Sequence, residues 1–424
     1  MHLLQMNILI LSKYYKPELT GIAPFVTEIS QFLASRGHQV TVITSFPHFP
    51  EWRVQQEYRG RFYSVETDEN MRLIRCWTYV PRIPRAVRRI ISDTIFSIQC
   101  LVCVGFLFHR YDVVYVVSPP PTLAFAGFLL RFLFKSKVVV EVRDLVAEAL
   151  TATQLIKSEV VNAFVDRLEN FVLRRADAVS VLSSGFRENI ARKGIPNERI
   201  SLIPNWGHLN FSAVSTRHNV FRSTHGISDH MFIVMFSGAF GKKDNLRAIL
   251  DAARDLQTDS DILITLIGDG IQKEELVRAA QEMHLSNVRF LPLQPNEMFP
   301  FQLAAADVLI ASYYKAVIDF CMPSKILTYM SSGRPLIVAA NDRSDTARVV
   351  AESKGGALLI EPERPDKIRD SILSLYRSKE LRERIGETGR KFVQEKFSRD
   401  AILPRYEELL TSPQNGSAHK GAVS

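Results

Sequence analysis

Short apolar runs rich in β-branched residues, each closed by Gly, Pro, Asp or Ser, alternate along this chain with longer stretches of helical character. In the first half the runs are Asn7 to Ser12, Gln39 to Ser45, Val113 to Ser118, Val138 to Val142, Ala178 to Ser183 and Ile200 to Pro204. In the second half they are Met231 to Ser237, Asp261 to Ile267, Asn287 to Pro292, Asp307 to Ala311, Pro335 to Ala340 and Gly356 to Ile360. Strands separated by helices predict parallel α/β units, and two similar halves predict two sheets. The apolar rhythm pauses between Trp206 and Asn219, which marks the join.

Length agrees with this division, because 424 residues exceed what one hydrophobic core usually organises. Hydrophobic residues at 46% and charged residues at 23% exclude a disordered or fibrous chain. The formal charge of +8 is unevenly spread: Arg72, Arg75, Arg82, Arg85, Arg88, Arg89 and Arg110 lie in one short stretch, which suggests an anionic surface as partner. Neither zinc-finger spacing nor an aromatic RNA-binding signature accompanies them, so nucleic acid fits poorly. The four cysteines, Cys76, Cys100, Cys103 and Cys321, are too scattered for a disulfide framework and point to a reducing cytoplasm. Cys100 and Cys103 form a C-x-x-C inside an apolar run without a second pair, which reads as packing. The N-terminus has no charged region or cleavage site of a secretion signal.

From Ile90 to Phe108 the chain is mostly apolar, follows an arginine-rich segment, and is interrupted by Ser92, Asp93, Thr94, Ser97 and Gln99. Asp93 would be costly inside a bilayer, so an interfacial helix accounts for the pattern better than a span. Its arginines would meet lipid phosphates while Ile95, Phe96, Leu101, Val102, Phe106 and Leu107 enter the headgroup boundary. A buried core helix with a solvated basic collar is the alternative. A second apolar run, Leu123 to Phe134, favours membrane contact.

In open parallel sheets ligands bind beyond the carboxyl ends of the strands, and two facing sheets would place a site in the cleft between them. Two of the turns that follow strands stand out. Phe236-Ser237-Gly238-Ala239-Phe240-Gly241-Lys242-Lys243 and Pro323-Ser324-Lys325 each put small residues and a cation where a strand gives way to a helix. Helix starts reached through glycine-rich turns hold phosphate groups well, so a nucleotide diphosphate is the indicated ligand. Plain conformational turns are the alternative for either stretch alone. Lys242, Lys243 and Lys325 would neutralise the charge that develops on a departing diphosphate, with Gly238 and Gly241 admitting it to backbone N–H groups. No Asp-x-Asp and no His and carboxylate set with ligand spacing is present, so no metal and no cofactor are expected besides the nucleotide sugar itself.

At these residues the chain resembles the family 4 retaining glycosyltransferases of GT-B architecture, over nearly its whole length. More narrowly it resembles the bacterial branch that builds colanic acid, capsule and O-antigen units, the N-acetyl-L-fucosamine transferases among them. The resemblance is carried by Tyr14 to Glu18 with Thr20 to Pro24, Phe46 to Pro50, Arg143-Asp144-Leu145, Ile203 to Trp206, Ser237 to Gly241, Ile267 to Gly270, Ala306-Asp307, and Met322 to Lys325 with Gly333-Arg334-Pro335.

The resemblance implies two Rossmann-like domains, residues 1–212 for the acceptor and 213–395 for the nucleotide sugar. The residues themselves mark a membrane-associating segment at 82–108, an amphipathic C-terminal helix at 396–412 expected to cross back to the first domain, and a polar, disordered tail at 413–424. Gly21, Gly268, Gly270, Ser324 and Thr328 join Gly238, Gly241, Lys242 and Lys243 as donor-binding candidates, while Asp319, Lys325 and Asp144 are the catalytic candidates. His48, Trp52 and Asp144 are acceptor candidates, with Glu148 weaker. The family's two glutamates, eight positions apart, are missing: Thr328 stands at the second and Phe320 at the first, with Asp319 adjacent. Glu361 and Glu363 are the conceivable replacements at the ribose.

The function implied is transfer of an N-acetylated deoxysugar from a UDP donor to a polyprenyl-diphosphate-linked acceptor, at the inner face of the cytoplasmic membrane. A nucleotide-sugar 2-epimerase, a mannosyl or glucosyl transferase using a GDP or UDP donor, and a non-catalytic sugar-nucleotide sensor are the alternatives.

Overall fold

The alternation of strands and helices is that of a computed structural model of the chain, which describes residues 5–18, 21–49, 51–68, 70–83, 86–107, 109–145, 159–206, 217–295, 297–318 and 324–413. Its strands are β1 (Asn7–Leu11), β2 (Gln39–Ser45), β3 (Tyr63–Asp68), β4 (Met71–Cys76), β5 (Val113–Ser118), β6 (Lys137–Val142), β7 (Ala178–Val181), β8 (Ile200–Leu202), β9 (Phe232–Ser237), β10 (Ile262–Ile267), β11 (Val288–Leu291), β12 (Val308–Ser312), β13 (Leu336–Ala339) and β14 (Leu358–Ile360). The helices are α1 (Ala23–Ser35), α2 (Ala86–Leu107), α3 (Ala124–Phe134), α4 (Glu159–Arg175), α5 (Ser184–Arg192), α6 (Val220–Thr224), α7 (Leu246–Asp255), α8 (Lys273–Glu282), α9 (Phe299–Ala305), α10 (Ser324–Ser331), α11 (Asp345–Glu352), α12 (Pro365–Arg377), α13 (Lys379–Lys396) and α14 (Arg399–Thr411).

Two units carry the two sheets: Met1–Pro204 with Leu403–Ser424, and Asn205–Ile402. The first sheet runs β3-β4-β2-β1-β5-β6-β7-β8 and the second β11-β10-β9-β12-β13-β14. Every pair is parallel except β3 with β4. Central strands such as Val113-Val114-Tyr115-Val116-Val117-Ser118 are buried throughout, because helices cover both faces of a parallel sheet.

The β3–β4 hairpin is a correction to the six-strand reading of the first half. β3 is an edge strand whose burial alternates between exposed and half-buried, and its polar sequence gives no apolar run. β4 carries two arginines, which were read as surface charge. Arg75 is in fact buried, donating from Nε to Glu66 (3.1 Å) and from Nη2 to the Lys16 carbonyl (2.7 Å), so it leaves the anion-binding cluster.

Helix α2 also corrects the expectation for the apolar segment. Val87–Phe106 is long and apolar enough to cross a membrane by length and composition. Yet Ser92, Phe96, Cys100 and Val104, spaced one helical turn apart, are buried against the sheet. Phe96 therefore belongs to the core rather than to a lipid boundary. Asp93 is answered by the buried Lys13 ammonium at 2.6 Å, and Ser92 Oγ lies 2.8 Å from the same nitrogen. The opposite face exposes Val87, Ile91, Ile98, Leu101, Val102 and Phe106. Cys100 packs in the core as expected, but Cys103 meets Cys76, with sulfurs 3.2 Å apart, instead of Cys100.

The last helix is fastened to the first sheet. Lys137 Nζ donates to the carbonyls of Leu409 (2.6 Å) and Ser412 (2.8 Å), satisfying carbonyls at a helix C-terminus that otherwise lack donors. Tyr406 donates to Glu141 (2.6 Å), which also receives both arms of the Arg143 guanidinium (2.8 and 3.1 Å).

Candidate functional site

In the second unit, β9 ends at Ser237 and the chain turns through Gly238 to Gly241 before Asn245 caps α7, its side chain accepting from Ala248 N. Helix α10 is locked onto the same strand end. Tyr329 Oη accepts from Ser237 N and donates to Ser237 O, both at 2.7 Å. That lock brings Lys325, one turn earlier on the helix, over the Gly238 turn. A side chain on Gly238, at φ +149°, would lie 3.0 Å from Lys325 Cε, so the glycine makes room for the lysine.

Lys325 does not stand alone. Its ammonium is 3.0 Å from the carboxylate of Asp244 and 4.0 Å from the centre of the Phe236 ring. Burial pulls its pKa below the ordinary lysine value, and the Asp244 charge works in the opposite direction. Asp244 is fully buried and escaped the sequence reading, which gave no sign that a carboxylate six residues past Gly238 would be the lysine's counter-ion. Lys242 and Lys243 are exposed on the same turn, and Gly241 is half-buried beside Asp244.

The Gly268-Asp269-Gly270 turn packs directly on the first one. A Cβ on Gly268 would stand 1.9 Å from Gly238 O, and Phe240 N donates to Asp269 O at 2.9 Å. A Cβ on Gly270 would come within 2.7 Å of Phe240 O. The bareness of these two glycines is thus explained by the approach of protein backbone. Ser324, exposed, opens α10, and Thr328 is half-buried one turn beyond it on the face that carries Lys325. Asp319, Phe320, Met322 and Pro323 lie outside the described residues, as do Thr20, Pro50, Arg85, Leu107's side chain, Glu148, Cys321 and residues 414–424. Of the replacement glutamates, Glu361 is 3.2 Å from Arg364, and Glu363 accepts from Lys315 N at 2.9 Å.

In the first unit Gly21, at φ +69°, begins the entry to α1, and among the described residues only the Phe49 ring, at 3.6 Å, would touch a Cβ there. His48 packs among Tyr14, Phe49 and Trp52, with ring centres 5.6 to 6.1 Å apart. Its Nδ1 is 2.9 Å from Phe46 O, which assigns the proton to that nitrogen. Burial lowers its pKa to about 4, so the ring is neutral at pH 7 and not the near-neutral proton carrier that its residue type suggested. Nε2 is buried, and among the described residues it has no hydrogen-bond partner.

Glu18 was passed over as a motif letter. Its Oε1 accepts from the amides of His48 and Phe49, both at 2.8 Å, Oε2 is buried with no partner among the described residues, and burial raises the carboxyl to about 7. Two unsatisfied buried polar atoms in one aromatic nest mark a place for a ligand hydroxyl. Asp144 is exposed just past β6, next to the buried Arg143. A larger cavity of about 920 Å3 lies by Asn7, Gln39 and Met71, at the amino ends of the strands, the wrong end for this fold. Among the described residues no three His, Cys, Asp or Glu side chains are grouped as metal ligands.

Comparison with known proteins agrees with this fold. Residues 20–206 match a family model described as Glycosyl transferase 4-like domain, and residues 219–392 match one described as Glycosyl transferases group 1. The chain is 27% identical over 366 residues to the putative colanic acid biosynthesis glycosyl transferase WcaI of Escherichia coli K12, covering 84% of this chain and 89% of that protein. It is 22% identical over 404 residues to the O-antigen chain mannosyltransferase C of Escherichia coli, covering 94% and 96%. In fold it is similar to Anabaena Alr3699/HepE solved with UDP, at TM-score 0.69 and 15% identity, covering 96% of this chain and all of that one. Two parallel-sheet domains, each with its own matching model, place the chain among the family 4 glycosyltransferases of GT-B fold.

Proposed function

We propose that the enzyme is a retaining transferase that moves a sugar, an N-acetylated deoxysugar, from a UDP donor to a polyprenyl-diphosphate-linked saccharide in surface polysaccharide synthesis. The observation that carries the donor half is the half-buried Lys325 ammonium, paired with the buried Asp244 and held over the bare Gly238 turn, beside the start of α10. UDP as the nucleotide is supported by the bound UDP of Alr3699/HepE, and polysaccharide synthesis by the roles in the names of WcaI and the O-antigen transferase. The bond from the sugar's anomeric carbon to the diphosphate breaks as the acceptor oxygen joins that carbon on the same face. The departing phosphate oxygen takes the acceptor's proton. Such a step asks the protein for positioning and charge stabilisation, which Lys325, Lys242, Lys243 and the α10 amides supply without a metal. Asp319 is the candidate contact to the sugar.

The test is nucleotide release. UDP appears on mixing UDP-N-acetyl-deoxysugar with a polyprenyl-diphosphate-linked saccharide, and not with either alone. Conversion of the donor into an epimer without acceptor would sink the transferase reading.

The enzyme works at the cytoplasmic face of the membrane, on this reading, through the exposed side of α2. There Ile91, Ile98, Val102 and Phe106 continue into Phe125, Phe132 and Leu133 of α3 and Phe164 and Phe171 of α4. Phe125 and Phe171 touch, with ring centres 6.2 Å apart, and Arg131 and Arg175 lie over Phe128 and Phe171. An apolar face rimmed by arginine suits an anionic leaflet. Purified protein floats with phosphatidylglycerol vesicles on a density gradient, and Ile98→Asp with Phe106→Asp stays at the bottom. Flotation of that variant at the wild-type level would rule the face out.

A further inference from the structure

A cavity of about 780 Å3 opens in the first unit at the carboxyl ends of β2 and β4. One wall is the segment Glu51 to Arg59 and the other is Trp77 to Arg82, brought side by side where Phe46 N donates to Cys76 O at 3.1 Å. Three aromatic residues, Trp52, Trp77 and Tyr79, line it together with three arginines, Arg53, Arg59 and Arg82. Glu51 is the one carboxylate among the lining residues. Among the described residues none of the three guanidinium groups is held by a carboxylate, in contrast to Arg75 with its Glu66.

Trp52 is itself constrained. It sits at φ +51°, in a left-handed conformation that a bulky side chain keeps only when its surroundings impose it. Those surroundings are Arg89 of α2, 5.5 Å from the ring centre, and the rings of His48 and Phe49. The indole thus stands between the cavity and the nest that holds His48 Nε2 and Glu18 Oε2, neither of which has a partner among the described residues.

Flat aromatic faces accept the apolar face of a pyranose, and guanidinium forks pair with oxyanions. We infer that this cavity is an acceptor subsite for an acidic saccharide, whose ring lies on Trp52, Trp77 or Tyr79 while an oxyanion it carries meets Arg53, Arg59 and Arg82. The inference deepens the acceptor reading of the first unit and rests on it. The oxyanion is either the carboxylate of a hexuronate or the diphosphate that joins the saccharide to its lipid. Both present the same chemistry to the arginines.

Two of the chain's three tryptophans line the cavity, and the third, Trp206, is buried, so intrinsic fluorescence reads occupancy directly. The protein is titrated with octyl glucuronide, octyl glucoside and farnesyl diphospho-N-acetylglucosamine. At least one charged probe binds about tenfold tighter than the glucoside. Preference for the glucuronide identifies a carboxylate, and preference for the farnesyl compound a diphosphate. The triple variant Arg53→Gln, Arg59→Gln, Arg82→Gln loses the preference, while the corresponding triple lysine variant keeps most of it. Circular dichroism checks that both retain the fold, which these exposed positions permit. Equal affinity for all three probes, or an undiminished preference in the glutamine variant, overturns the inference. Because binding needs no turnover, absence of nucleotide release with the preference intact would count against the transferase reading and leave the subsite standing.

Discussion

Lys325→Ala lowers turnover by roughly 10²- to 10³-fold, the usual cost of removing a preorganised charge from the place where negative charge develops. The variant also loses stability, because the buried Asp244 carboxylate is left without its ammonium, and breaking a buried pair from one side costs about 3 kcal/mol. The two effects separate in the double variant Lys325→Ala with Asp244→Asn, which regains the stability and not the rate. Steady-state kinetics beside denaturant unfolding measures both. Full activity in a folded single variant would remove Lys325 from the diphosphate site.

A pH profile adds a sign. The ammonium is the form that holds an anion, and burial already depresses its pKa below 10.5, so the rate falls as pH rises through the depressed value. Asp244 is the charge that keeps the proton on. In Asp244→Asn the alkaline limb therefore moves to lower pH, and an unmoved limb would mean that another group controls it.

Glu141→Gln lowers the stability of the first unit by about 3 to 5 kcal/mol. Glu141 has no exposed surface and answers both the Arg143 fork and the Tyr406 hydroxyl, while Arg143, also buried, stacks 4.8 Å over Phe25. Neutralising the carboxylate removes the charge that answers the buried guanidinium and weakens both hydrogen bonds between them. For a unit of this size the unfolding midpoint drops by about 10 °C, read by scanning calorimetry. Replacing Glu141 and Arg143 together with leucine and methionine restores most of it, since an apolar pair of similar volume carries no desolvation cost. A midpoint within a degree of wild type for Glu141→Gln would show that the network is solvated.

The parallel sheets and the positions of nearly all their strands were legible in the sequence, because a strand covered on both faces must be apolar along its whole length, as Val113 to Ser118 is. The β3–β4 hairpin was not, since an edge strand satisfies half of its surface with water and β4 hides a buried Arg75 behind a charge that looks solvated. The Gly238 to Lys243 turn and the Ser324-Lys325 helix start were each legible for a related reason: small residues and a cation at a strand-to-helix junction are local requirements, although their meeting was not. The amphipathic nature of α2 was legible too, but its rotation was not, and Phe96 was given to the wrong side.

What the sequence by itself determined was therefore whatever depends on neighbours in the chain: element type, parallel sheet class, and the glycine and lysine turns. What only the tertiary structure decided was pairing across distance. It chose Asp244 as the partner of Lys325, Tyr406 as the partner of Glu141, Lys13 as the answer to Asp93, and the meeting of the segments after β2 and β4 in one arginine and tryptophan cavity. The physical reason is that a buried charge has its energy set by whichever opposite charge the packing brings within about 3 Å, and separation along the chain carries no information about that choice.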